Sequence, residues 1–413
     1  MPAGPGHGGY GLAMGRRRCS SITRTCVVLP AAALVLAACS SSHVVGSSHA
    51  STTTTAAAGT TTTAAPATTT TTPSGPPGGP VPAGFEAQSV TFVSSQDGYV
   101  LGTTGCPAAS CTGVLRTVDG GRTWAGIPAP SVGVGSAPDV NEIRFADPMD
   151  GWVYGHEALQ STHDGGAHWS AIPTPGGGSV QSVEAGGGFA YALVIQGNGA
   201  NPAPANLYRT PAGADSWSVV AGATVANAVS GAVVVHGSSV WTVVQPAAGA
   251  TVFRTLSGGA WVTRSLPCQG PSGDAIAAAD AQHMAVVCAS GAAAGQQPKL
   301  VYSSADAGSS WKAVGSAPEG GDTLGLAMAS TSTLVISAAS GASELYGSFD
   351  GGKTWTTVEQ DTSSGGLPWA DLGFTDPAQG VVVEGQVGIT GTPTRLYMTR
   401  DGGHSWAPVS FSS

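Results

Sequence analysis

The sequence predicts an all-β protein whose folded part is a seven-bladed β-propeller with four-stranded antiparallel blades, and three observations predict it. The first is composition: 62 glycines and 28 prolines with only 9% charged residues describe short uncharged strands joined by many turns, with little material for surface helices. The second is a nonapeptide, Arg116 to Trp124 (RTVDGGRTW), that recurs in the form Ser/Thr-x-Asp-x-Gly-x-x-Trp. The third is its period: seven copies fall on average 47 residues apart, the size of one four-stranded propeller blade.

Three segments are expected in order: a signal peptide over 1–38, a stalk over 39–83 and the propeller over 84–413. Arg16, Arg17, Arg18 and Arg24 precede an apolar stretch from Val27 to Ala38, too short to span a bilayer and interrupted by Pro30, as in a secretory signal. The following Leu36-Ala37-Ala38-Cys39 resembles the lipobox of bacterial lipoproteins. That resemblance implies cleavage before Cys39, acylation of its thiol and anchorage at the outer face of the cytoplasmic membrane; the alternative is a soluble secreted protein cut near Ala38. The threonine, serine, alanine and proline tract that follows carries no charge and cannot bury enough apolar surface to offset chain entropy, so a disordered stalk is expected. Four of the 15 basic residues leave with the signal, so 11 remain against 24 acidic ones, a formal charge of −13. That balance argues against nucleic acid as a partner.

Within the propeller, five copies of the nonapeptide are centred on Asp119, Asp164, Asp306, Asp350 and Asp401 and close on Trp124, Trp169, Trp311, Trp355 and Trp406. The gap from Trp169 to Trp311 is 142 residues, three periods, and two degenerate copies fill it: Thr210 to Trp217, and Thr255 to Trp261, one residue short. Between copies an alternating strand, a glycine turn, an apolar strand and a third strand lead into the next nonapeptide. In the second repeat these are Val140–Phe145, Trp152–Tyr154 and Ala158–Thr162, and after Trp169 a short fourth strand; in the last they are Asp371–Thr375, Val381–Glu384 and Arg395–Thr399.

The nonapeptide resembles the Asp-box, or bacterial neuraminidase repeat, of sialidase-type and sortilin-type propellers. Its chemistry can be read without the name. The aspartate can accept backbone N–H groups of the turn after it, the glycine supplies a positive φ, and the tryptophan covers apolar surface at the blade edge. A calcium site is the competing reading, but each copy offers one carboxylate where calcium takes six to eight oxygens. No metal and no cofactor are expected. His163, His168 and His404 occupy free positions of the box and are expected as solvated turn residues; Arg116, Arg209, Arg254 and Arg400 are expected to mark strand edges.

Blade topology puts the aspartate hairpins on one face and the longer, variable loops on the other, where propellers commonly bind ligands. Cys106 with Cys111 and Cys268 with Cys288 fall on that second face, an even set that suggests two disulfides in an exported chain. Near the same loops lie Tyr154, His156, Glu157, Trp369 and Arg395, the expected ligand contacts.

A sialidase needs three arginines for the substrate carboxylate. Only Arg144 lies on an expected innermost strand, so no such trio is expected. Acid pairs for another glycosidase, Asp371 with Glu384 or Glu142 with Glu157, are loose. The repeats also resemble the propeller family of photosystem II stability and assembly factors over about residues 85–413. That family is associated with a basic patch, from which this acidic chain departs. The expectation is therefore a monomeric, non-catalytic, lipid-anchored propeller that binds a protein or a glycan, with a sialidase-like or other glycoside hydrolase as the alternative.

Overall fold

The computed structural model describes residues 75–105, 111–134, 139–197, 202–257, 259–268, 275–291, 294–363, 365–386 and 393–411. The expected signal, Cys39, most of the expected stalk and Cys106 lie outside the described residues. The chain divides into units 1–69 and 70–413, and the second holds the described fold. It is all-β, with one turn of 3-10 helix at Pro175–Gly177. No helix among the described residues is long and apolar enough to cross a membrane.

The strands form successive four-stranded antiparallel meanders. The first runs through Glu86–Phe92, Gly98–Thr104, Cys111–Thr117 and Ala125–Ile127; the second through Glu142–Phe145, Gly151–Tyr154, Leu159–Thr162 and Ser170–Ala171. Two meanders then share one eight-stranded sheet: Ser179–Gly186, Phe189–Ile195, Ala203–Pro211 and Ser218–Val219, followed by Val225–His236, Ser239–Pro246, Val252–Ser257 and Ala260–Arg264. Four-stranded sheets follow over Ala275–Ala317, Asp322–Asp361 and Trp369–Pro408. The first strands of successive meanders touch in turn, and Trp369–Phe374 of the last returns to Glu86–Phe92 of the first. The result is a β-propeller.

The core lies between the sheets. Ala87, Val90, Val100 and Leu115 of the first sheet pack with Val381, Val383, Leu396 and Met398 of the last. Second strands are packed on both sides and so read as apolar runs: Met284–Ala289 and Gly380–Glu384 are buried throughout. Outer strands such as Ser170–Ala171 are exposed. Ordered packing starts earlier than the stalk's composition implied: Gly79 exchanges backbone hydrogen bonds with Gly126, at 2.8 and 3.0 Å, so the glycine-proline segment before residue 84 already lies on the first sheet.

Five of the innermost strands share one irregularity. A register shift, one extra residue against the second strand, occurs at Ala87/Ser89, Val180/Ser182, Ala228/Ser230, Thr323/Gly325 and Ala370/Gly373. Such bulges bend a strand and re-aim its side chains.

Candidate binding site

The five aspartate hairpins are built alike. The Ser or Thr hydroxyl donates to aspartate Oδ1 at 2.8–3.0 Å and accepts the N–H of the second glycine position at 2.8–2.9 Å. The same Oδ1 accepts the N–H four residues on at 2.8–3.0 Å. In Asp119 and Asp401 partial burial works against ionisation, yet the bonds from Thr123 and Ser405 outweigh it and hold the carboxyl at about 2; in Asp306 and Asp350 the bonds from Ser310 and Thr354 do so directly. These carboxylates are committed to their own turns. Each tryptophan lies at a seam between sheets: Trp124 and Trp406 are buried, and the half-buried Trp169 donates Nε1–H to Pro128 O of the preceding sheet at 3.0 Å.

The two degenerate copies do not make this turn. In Thr255–Trp261, Ser257 pairs directly with Ala260 of the next strand. In Thr210–Trp217 the aspartate has moved to Asp215, whose carboxylate reaches the second sheet: it accepts Ser161 Oγ at 2.7 Å and contacts His163 Nε2 at 3.3 Å, while His163 Nδ1 meets Asp150 at 2.7 Å. Burial opposes the charge on His163, but the bonds to Asp150 and Asp215 raise its pKa. All three box histidines are exposed, as expected of solvated turn residues, though His163 also bridges two sheets and His404 stacks on Phe349 with centroids 3.6 Å apart. The arginines near the boxes also reach across: Arg254 Nη1 donates to Thr224 O at 2.7 Å and Arg400 Nη2 to Gly120 O at 2.5 Å.

The charged centre of the molecule lies on its axis. Arg144 Nη2 meets Asp371 Oδ1 at 2.6 Å and Glu142 Oε2 at 3.3 Å, and Nε meets Glu184 Oε1 at 3.1 Å. Its Nη1 donates to Ile143 O at 2.7 Å and Ser89 Oγ at 3.3 Å. Asp371 Oδ2 accepts the N–H of Val90 at 2.8 Å, so one carboxylate ties the last sheet to the first and second. It is placed there by a left-handed backbone at the bulge, φ +54, unusual for a residue other than glycine. Burial, reinforced by Asp371 and opposed by Arg144, pushes the Glu142 carboxyl up to about 8. Burial likewise raises Glu184 against the pull of Arg144.

Above and below this cluster the channel widens. On the hairpin side, a cavity of about 350 Å³ runs between Phe92, His236, Met328 and Phe374. On the far side, a cavity of about 390 Å³ is lined by Glu142, Gln181, Leu324, Trp369 and Asp371, and it shares Ala232 and Leu324–Leu326 with a groove of about 810 Å³ that also holds Val229, Gln245 and Ile276. Gln181, Val229, Leu324 and Asp371 are the bulge residues of four innermost strands. The bulges therefore furnish the mouth.

The expected contacts separate into two groups. His156 and Glu157 are exposed beside a cavity of about 610 Å³ near Gln181 and Val229. Arg395 is exposed but held by Asp361 at 2.7 Å. Tyr154 and Trp369 are only 4% and 6% exposed, because their flat rings pack between sheets; Trp369 Nε1 donates to Ala338 O at 3.2 Å. Of the acids named above as loose pairs, Glu142 joins Asp371 around Arg144, and Glu384 lies 3.7 Å from Arg395 and accepts Tyr397 Oη at 3.3 Å. The disulfide Cys268–Cys288 is present; its expected counterpart at Cys106 and Cys111 involves a residue outside the described set. Sequence reasoning missed Val229 and Leu324, whose signal is a broken alternation, and Lys299. That buried ammonium donates to the carbonyls of Gln297, Glu319, Gly320 and Gly321 at 2.7–3.2 Å and pins the loop between two sheets.

Residues 214–410 match the family model described as the DUF6242 beta propeller domain. No curated protein matches the sequence. Among solved structures the fold is similar to YCF48 from Cyanidioschyzon merolae, at 19% identity and TM-score 0.51 over 79% of this chain and 98% of that one. It is similar to a prolyl endopeptidase at 14% identity and TM-score 0.52, over 78% of this chain and 50% of that one. It is also similar to an ulvan lyase at 13% identity and TM-score 0.50, over 80% and 97%. Two of these three names are enzymes of different classes, and at these identities the likeness is one of fold.

Proposed function

We propose that the chain is a seven-bladed propeller on a lipid-anchored stalk at the outer face of a bacterial cytoplasmic membrane, acting as a non-catalytic module that binds a protein or a glycan through the face opposite the aspartate hairpins. Counting the eight-stranded sheet as two meanders makes seven blades, and the repeat period agrees. The observation that carries the binding reading is the state of Arg144: the guanidinium on the axis is engaged by three carboxyl groups, a hydroxyl and a carbonyl, and so is not offered to a substrate anion. The similarity to YCF48 supports an assembly or scaffold role without naming a partner.

A glycoside hydrolase is the second reading, favoured by one feature: a carboxylic acid held protonated near neutral pH beside a second carboxyl group is what acid catalysis uses, and Glu142 with Asp371 has that form. Incubating the purified chain with fluorogenic sialosides and with plant and wall polysaccharides separates the two. The binding reading expects no turnover above that of Glu142→Gln; turnover abolished by Glu142→Gln or Asp371→Asn would establish the hydrolase.

A further inference from the structure

The mouth of the channel carries a specific pattern. Val229 and Leu324, 49% and 45% exposed, are two of the large hydrophobic side chains left open to solvent, and both line the same groove. Each is the extra residue of a bulge, so the backbone departs from regular pairing to hold an apolar side chain in the concavity. An apolar patch set in a concave, polar-rimmed surface marks a recognition site rather than a packing defect. Deeper in, the groove opens through Leu324 onto the axial cavity, where Glu142, Glu184 and Asp371 face one guanidinium. Even with Glu142 holding its proton, Glu184 and Asp371 remain against one guanidinium, so the floor offers carboxyl oxygens to a positive group.

We infer that this mouth binds a polypeptide segment in which apolar side chains flank a lysine or arginine, the apolar groups seating on Val229 and Leu324 and the cation descending towards Glu184 and Asp371. The inference rests on the reading of the propeller as a binding module and narrows its ligand from protein or glycan to protein. A sugar ring packs its C–H face on an open aromatic ring, and the aromatic residues lining the axial cavity, Tyr154 and Trp369, are only 4% and 6% exposed. The surface offered is aliphatic and acidic, which suits an apolar and basic chain, and the formal charge of −9 favours the same partner at longer range.

The test is fluorescence anisotropy with the full chain in detergent, using a labelled short peptide of alternating leucine and lysine, its leucine and glutamate counterpart, and labelled chitin and xylan oligosaccharides. The lysine peptide is expected to bind and the glutamate peptide not to. Leu324→Lys removes apolar contact and adds repulsion, and should weaken binding by about tenfold or more, while Leu324→Phe retains it. Val118→Lys, on an aspartate hairpin of the opposite face, should leave it unchanged, and thermal melts of all three variants identify any that fail to fold. Equal binding of the two peptides, or a lysine peptide indifferent to Leu324→Lys, would overturn the inference. Binding of an oligosaccharide alone, sensitive to Leu324→Lys, would overturn it while leaving the binding-module reading intact; sugar turnover would remove both.

Discussion

Two kinds of carboxylate coexist in this protein, and their hydrogen bonds tell them apart. The hairpin aspartates accept several N–H and O–H groups each and are held near pKa 2, below their unfolded value near 3.9. Their contribution to stability is therefore complete above about pH 4 and lost as pH falls towards 2. Carbon-13 NMR titration should find Asp119, Asp306, Asp350 and Asp401 still ionised at pH 3, with unfolding following their protonation. Glu142 behaves in the opposite sense. Its folded value, about 8, lies above the unfolded one, so the native state retains a proton that the unfolded chain releases, and stability declines as pH rises from about 4.5 to 8. Glu142→Gln keeps an acceptor for Ser89 and imitates the protonated form. Its melting temperature should exceed that of the parent at pH 8.5 and match it near pH 5; an identical pH profile would show that Glu142 is not held protonated.

At the scale of the hairpin, the second glycine position does two jobs. In Gly308 φ is +81, and a Cβ would stand 2.4 Å from Phe253 Cε1 of the neighbouring sheet. Gly308→Ala should therefore destabilise the fold by about 1–3 kcal/mol in urea unfolding through overpacking, with the left-handed backbone adding to it. A loss no greater than that of Gly341→Ala, where a Cβ would meet nothing, would contradict the close approach. Much of this was legible beforehand, because the motif is local: hydroxyl, aspartate, glycine and tryptophan act within nine residues, and the period locates each meander. The second and last repeats agree with their expected strands within two residues or so at most ends. The mouth was not legible, since a bulge is a mismatch between two strands and leaves in one strand only a lapse of alternation, as in Thr323-Leu324-Gly325-Leu326. The burial of Tyr154 and Trp369, which still line the axial cavity, was hidden for a related reason. Large aromatic residues near loop ends read as exposed contacts, while the space between sheets is what they fill.

At the scale of the molecule, a ring of sheets must close on itself, and among the described residues it does so without sharing a strand. The first sheet comes wholly from Glu86–Ile127 and the last wholly from Trp369–Pro408. The seam is held by side chains: Trp124 meets Phe411 edge to face at 5.6 Å, Val90 and Leu115 pack with Val383 and Leu396, and at the axis Asp371 takes the Val90 amide and the Arg144 guanidinium together. On this account the axial ions are a clasp, and the acids resembling a catalytic pair are occupied in closing the ring. Asp371→Gly isolates the point, because glycine accepts the φ of +54 and loses only the carboxylate. The most direct measurement is hydrogen exchange at the Val90 amide in the parent and in Asp371→Gly. A hydrogen bond to a charged group contributes about 1.5–3 kcal/mol, so exchange should accelerate roughly 10–100-fold in the variant while the hairpin amide of Gly308 keeps its rate. Unchanged protection at Val90 would contradict the clasp and return Asp371 and Glu142 to the candidates for catalysis.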